Sequence, residues 1–209
     1  MTPSDNAVLV ACEESQVVTS AFRARGIEAW SCDTEPCSGG HPEWHLQQDV
    51  TPLLQRPWAM ILAFPPCTHL STIGSQYWPE KQRTGQQQRA ARFFWRFVQV
   101  AEDKCAHVAI ENPVGVMSRQ YRKPDQIIHP WQFGEPVAKR TCLWLRGLPR
   151  LRPSRVIEAT HRQIDGNRGR QLPAAVVTGN RGRERARLRS VTFAGIAAAM
   201  AEQWGDYIR

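Results

Sequence analysis

No stretch of about 18 consecutive apolar residues interrupts this chain, so nothing in it reads as a membrane-spanning helix. The opening residues Met1 to Asn6 lack the basic-then-apolar run of a secretory signal. Six cysteines (Cys12, Cys32, Cys37, Cys67, Cys105 and Cys142) are scattered without a single CxxC pair. Together these absences argue against a disulfide framework and for reduced thiols, and the expected location is the cytoplasm, with no membrane partner. Internal repeats are missing too, which excludes solenoids and arrays.

What is present is enough for one core. The chain has 209 residues, 42% hydrophobic and 22% charged, a soluble globular balance with little room for a second full domain. The net charge of +8 is unevenly spread. Between Arg150 and Arg189 stand eleven arginines, no lysine and three acids, which leaves sixteen cations and sixteen acids for the rest of the chain. The whole excess therefore lies in one late segment. Cys32, Cys37, His41 and His45 follow one another at spacings of five, four and four, which a small zinc loop can use. The tight CxxC turn of such loops is absent, and Gly39, Gly40 and Pro42 read as an ordinary connection, so no metal is assigned.

Four short apolar stretches, Val8 to Val10, Ala29 to Ser31, Ala59 to Ala63 and His107 to Ile110, alternate with segments of helical periodicity. That alternation predicts an α/β fold, a parallel sheet covered by helices. After the first strand, Ser15 is positioned to cap a helix with Val17, Val18, Ala21 and Phe22 inward and Gly26 as its stop. Gln86 to Glu102 predicts an amphipathic helix, its Ala90, Phe93, Phe94, Phe97 and Ala101 facing the core. Thr141 to Leu145 reads as a further strand, Arg146 to Pro153 as a turn-rich exit, and Ala194 to Trp204 as a closing helix. Gly166 to Arg170 and Thr178 to Arg189 are rich in glycine and arginine with little periodicity, and read as a basic arm. The organisation is thus a core over 1–149, an arginine-rich segment over 150–189 and a returning helix over 190–209.

The segment most informative about chemistry is Phe64-Pro65-Pro66-Cys67-Thr68-His69-Leu70-Ser71, directly after an apolar strand. Loops at the carboxyl ends of parallel strands are where open α/β sheets build their sites. Two consecutive prolines fix φ twice and remove two amide donors, so the backbone entering Cys67 is stiff, as a positioned nucleophile requires. Glu111-Asn112-Pro113 stands just beyond the next strand, and parallel neighbours would bring it to the same cleft. A carboxyl group there can act as an acid when burial raises its pKa.

These two motifs resemble those of the DNA cytosine-5 methyltransferase family, in the short form found in phages and prophages. The family's Pro-Cys loop, with a serine a few residues on, is matched by Pro66, Cys67 and Ser71, and its Glu-Asn-Val loop by Glu111 and Asn112, with Pro113 in place of valine. The resemblance implies a Rossmann-like sheet, S-adenosylmethionine as cofactor, attack of Cys67 on cytosine C6, and Glu111 holding and protonating N3. It assigns cofactor contacts to Cys12, Glu13, Ser15 and Gln16 in the first turn and to Asp33, with Glu35 competing, at the ribose. Further contacts fall to Asp49 and Val50 in the adenine turn, and to Pro65 and Ser190. The turn Val10 to Gln16 has no glycine where the family has a glycine-rich one, and the amides opening the next helix are expected to take the cofactor carboxylate instead.

Arg140, just before the Thr141 strand, stands for the family's arginine-bearing strand without reproducing its Gln-x-Arg-x-Arg pattern. The family's separate recognition domain has no counterpart beyond 150–189, whose Arg181, Arg183, Arg185 and Arg187 suit phosphate contact without sequence reading. DNA is therefore the expected partner and the expected specificity is low or short, unless a protein partner supplies target recognition. The same chemistry on RNA or a free pyrimidine nucleotide is the alternative. A third reading is a catalytically silent nucleic-acid-binding relative.

Overall fold

The structure is a computed structural model that describes residues 2–162 and 190–208. Its strands are β1 (Val8–Ala11), β2 (Ala29–Asp33), β3 (His45–Gln47), β4 (Met60–Ala63), β5 (Val108–Pro113), β6 (Gln126–Ile128), β7 (Val137–Ala138), β8 (Thr141–Arg146) and β9 (His161–Arg162). Its helices are α1 (Val17–Arg23), α2 (Trp78–Arg83), α3 (Gln86–Asp103), α4 (Met117–Gln120) and α5 (Ala194–Trp204). Seven strands form one mixed sheet in the order β3-β2-β1-β4-β5-β8-β6, and β7 pairs with β9 separately. The first five positions of the large sheet are parallel, while β8 runs antiparallel to both β5 and β6. The strand order reverses between β1 and β4, so the carboxyl ends of those two strands open the crevice in which doubly wound sheets take ligands.

Alternate residues of each central strand face opposite sides, and each side has its own core. Leu9, Ala11, Ile61, Ala63, Val108 and Ile110 meet Phe94, Phe97 and Val98 of α3. Val8, Val10, Met60, Leu62 and Ala109 meet Val18 and Phe22 of α1 and Ile196, Met200 and Trp204 of α5. Helices thus cover both faces, and the closing helix returns to the sheet over the residues expected of it. The aromatic residues of α3 are core, with Phe94 and Phe97 fully buried. No helix among the described residues is long and apolar enough to cross a membrane.

Three local expectations are corrected. The residue capping α1 is Gln16, not Ser15, and it caps without a side-chain hydrogen bond. The strand expected to end at Ile110 continues through Glu111, Asn112 and Pro113, because β8 keeps pairing with them as far as Thr141. The boundary at 150 is no break in the fold, since Leu151 is buried and exchanges two hydrogen bonds with Gln126, at 2.7 and 2.8 Å. The arm expected over Gly166 to Arg170 and Thr178 to Arg189, with Arg181, Arg183, Arg185 and Arg187, lies outside the described residues.

Candidate functional site

The Cys67 loop and the Glu111 segment come together as the sheet order requires. Strands β4 and β5 pair in parallel only as far as Ala63 opposite Ile110. Beyond that point the chain leaves the β4–β5 pairing, and the Phe64 amide bonds the Ala11 carbonyl of β1. Asn112, 1% exposed, closes part of the gap by donating its side-chain amide to the Pro65 carbonyl at 2.8 Å. The prolines stiffen the loop from within, and Asn112 anchors it from the neighbouring strand.

A second clasp lies past Cys67. The Cys67 carbonyl accepts from the amides of Leu70 (2.9 Å) and Ser71 (3.0 Å), closing a turn. Buried Ser71 then forms an isolated bridge with Gly115, and the amides of Thr72 and Val116 bond the carbonyls of Val114 and Leu70. A Cβ on Gly115 would stand 2.0 Å from the Leu70 carbonyl oxygen, so only glycine permits this approach. Within this frame Cys67 is half-buried and Pro66 exposed.

Glu111 is half-buried, and its carboxyl group makes no hydrogen bond among the described residues. Burial raises its carboxyl pKa, and the Lys139 charge partly offsets that. An acid in this setting holds its proton to higher pH than an exposed glutamate. Arg140, expected at the target base, is exposed, and the neighbouring Lys139 is the cation whose charge reaches Glu111. The signal for Lys139 was present only as a basic pair ahead of a strand, which does not say which residue turns inward. His69, on the same loop as Cys67, has a solvent-shielded Nδ1 without a hydrogen-bond partner among the described residues. Burial and the charges of Lys81 and Arg89 lower its pKa and favour the neutral ring.

The turn after β1 explains its missing glycines. Cys12 (φ 62°) and Gln16 (φ 58°) both adopt the left-handed backbone that glycine normally supplies. Such residues persist where surrounding contacts over-determine them, and often at ligand sites. Here Gln16 is buried and brackets His41, donating to its carbonyl at 2.7 Å and accepting from its amide at 3.0 Å. Glu13 is buried as well, and its carboxylate accepts from the amides of Val18 (2.6 Å) and Thr19 (3.2 Å) and from the Thr19 hydroxyl (2.7 Å). Glu13 thus already takes two of the helix-opening amides at which a cofactor carboxylate was expected, those of Val18 and Thr19.

Burial lifts the Glu13 pKa to about 7 against those hydrogen bonds. The sign follows from linkage. A carboxyl raised on folding favours the fold below its unfolded pKa, and that contribution is lost as pH rises through about 7. Glu13→Gln is expected to remove roughly one proton's worth of pH dependence from unfolding stability between pH about 4.5 and about 7, measured by urea titration against wild type.

The acids after β2 and β3 face the same end of the sheet. Asp33 and Asp49 both raise the pKa of the Cys12 thiol, behind the larger effect of burial. Asp33 accepts from the Glu35 amide at 3.0 Å, which orients its carboxylate and leaves Glu35 itself exposed. Asp49 accepts from the Thr51 amide at 2.7 Å, and its pKa is lowered chiefly by its hydrogen bonds with Thr51. Val50, expected at the adenine, is 4% exposed and belongs to the core beneath the turn. Pro65 is buried with its carbonyl committed to Asn112. Ser190 is exposed at the start of the second described segment.

The cysteine and histidine spacing does not produce a metal centre. Among the described residues no group of three or more His, Cys, Asp or Glu side chains is arranged to hold an ion. Cys32 is a core residue whose thiol bonds the Gln48 carbonyl, with its pKa pushed up to about 12 by burial. His45 bonds Ser31 and the Glu35 carbonyl, and His41 stacks on Trp44 at 3.8 Å.

Neither the models of known protein families nor the curated proteins include a match to this chain.

Proposed function

We propose that the protein is an S-adenosylmethionine-dependent DNA cytosine-5 methyltransferase acting through Cys67. The observation that carries this reading is the double clasp that joins the Pro65-Pro66-Cys67 loop to the Glu111-Asn112 strand end beside a strand-order reversal. A cysteine loop clasped to a strand end that carries a half-buried acid fits addition to an electron-poor ring better than a structural role.

In this reading a cytosine turned out of the duplex enters between the two motifs. The Cys67 sulfur forms a bond to C6, and Glu111 gives its proton to N3, so the electron pair of the C5–C6 double bond becomes available at C5. S-adenosylmethionine, when bound, supplies the electrophilic methyl group that C5 takes. Loss of the C5 proton to a base re-forms the double bond and expels Cys67 as the thiolate, and N3 returns its proton to Glu111, which restores the acid. Asn112 holds the loop in place during this cycle, and Lys139 balances the charge left on Glu111. Asp33 and Asp49 are the residues that would hold the ribose and the base of the cofactor.

Incubation with S-adenosylmethionine tritiated on its methyl group tests the reading, with DNA, RNA and dCMP as separate acceptors. Label is expected in DNA as 5-methylcytosine. Label confined to RNA or dCMP would transfer the chemistry to those substrates, and no label in any acceptor would favour the silent binder. Calorimetry with S-adenosylhomocysteine checks the cofactor side. Asp49→Ala is expected to weaken binding by roughly 1.5–3 kcal/mol, the worth of one hydrogen bond to a charged group.

A further inference from the structure

Helix α3 carries Arg89, Arg92 and Arg96 at i, i+3 and i+7, which aligns them along one side of the helix, and all three are exposed. The opposite side is fixed in the core by Ala91, Phe94, Phe97, Val98 and Ala101, so this stripe cannot turn inward. From Thr68 to Arg96 the chain has five cations and one acid, Glu80. Glu80 is engaged by Arg83 in a two-point pair at 2.7 and 3.0 Å. Among the described residues no ion pair neutralises Lys81, Arg89 or Arg92.

The stripe starts at the nucleophile loop. Lys81 donates to the Thr68 carbonyl at 2.7 Å, one residue past Cys67, and the charges of Lys81 and Arg89 both reach His69. Tyr77, 59% exposed, stands beside Lys81 with the ammonium 6.0 Å from its ring centre. Unpaired cations of one sign, anchored to a rigid helix and to the loop that would meet the target base, suit a polyanion threaded past the cleft. Resting on the DNA reading above, we propose that the cationic face of α2 and α3 binds the DNA phosphates flanking the target cytosine. Sequence-independent affinity then comes from the folded core itself and does not depend on the arginine-rich segment alone.

Anisotropy titrations of a short labelled duplex over a range of salt concentrations test this with the full chain. Arg89→Ala with Arg92→Ala is expected to weaken binding roughly tenfold at low salt and to flatten the logarithmic salt slope by about two, one unit for each lost phosphate contact. Arg89→Lys with Arg92→Lys keeps both charges and is expected to retain the wild-type slope. Arg25→Ala with Lys123→Ala removes the same charge from exposed positions elsewhere and is expected to leave the slope near wild type. All four side chains are exposed, and unchanged S-adenosylhomocysteine affinity and thermal unfolding check that each variant is folded.

An unchanged slope in the alanine pair overturns the proposal, as does an equal fall in the Arg25 and Lys123 pair. Tighter binding of an RNA duplex of the same length also overturns it. If wild type shows the expected slopes yet forms no covalent adduct with 5-fluorocytosine DNA, the surface stands and the methylation reading falls. If the adduct forms and the slopes do not move, the methylation reading stands and the surface falls.

Discussion

Replacement of Cys67 by Ser is expected to lower methyl transfer by several orders of magnitude while leaving S-adenosylhomocysteine affinity near wild type. The thiol is half-buried, and the loop around it is held through backbone groups and neighbouring side chains. The Pro65 carbonyl takes the Asn112 amide, the Cys67 carbonyl takes two amides, and the Ser71 to Gly115 bridge closes the far side. These backbone bonds do not run through the sulfur, so the loop is expected to keep its frame in the variant. A serine hydroxyl at this position has a far less accessible anion than a thiol, so partial activity through oxygen is not expected. Steady-state rates with labelled cofactor and calorimetry on the same preparation check the split. Equal losses of turnover and of cofactor affinity would reassign Cys67 to the structure of the cleft.

Glu111→Gln is expected to lower turnover by about 10²- to 10⁴-fold, the usual range for a lost general acid, with little change in DNA affinity. Glutamine keeps a donor and nearly the same shape but has no proton to give to N3. The pH profile supplies a readout that a structural role would not move. Burial raises the Glu111 pKa, so its acid form persists upward in pH and is lost as pH rises through that raised value. Wild-type single-turnover rates should show this falling limb, and Glu111→Gln should lack it. Lys139→Met removes the charge that pulls the Glu111 pKa down, so in that variant the limb should move to higher pH. Near-normal rates for Glu111→Gln would make the carboxyl a packing group.

The parallel core was legible because its strands are apolar, branched and separated by periodic helices. Val8, Ala29 and Ala63 each stand at a strand terminus where the pattern indicated one. The strand β3, His45–Gln47, was not legible, since three residues are too few for alternation to be a signal. Strands β7 and β9, two residues each, fall below any periodic signal. The end of β5 was misjudged because Glu-Asn-Pro looks like a turn. Its extension depends on antiparallel pairing with β8, a partner about thirty residues away in the chain.

For the candidate site, pattern pointed to residues and could not give their orientations. Glu13 and Val50 were assigned to the cofactor and both are buried, one accepting from the first α1 amides and the other in the core. The glycine-free turn looked like a departure in backbone shape, yet Cys12 and Gln16 supply the left-handed conformations themselves. Nothing in their residue types announces this, and the side-chain bonds that hold Gln16 come from the distant His41 segment. Asn112, read as part of a motif, proves to be the anchor of the opposite loop, a role set by sheet order and invisible to spacing.

The central claim is that Cys67 bonds covalently to a cytosine in DNA. Duplex DNA carrying 5-fluorocytosine blocks release, because the fluorine at C5 cannot leave as a proton does. Wild-type protein incubated with this DNA and S-adenosylmethionine should form a complex that survives denaturation, and peptide mapping should locate the DNA on Cys67. A complex that forms equally with Cys67→Ala, or a linkage mapped to another residue, would contradict the account.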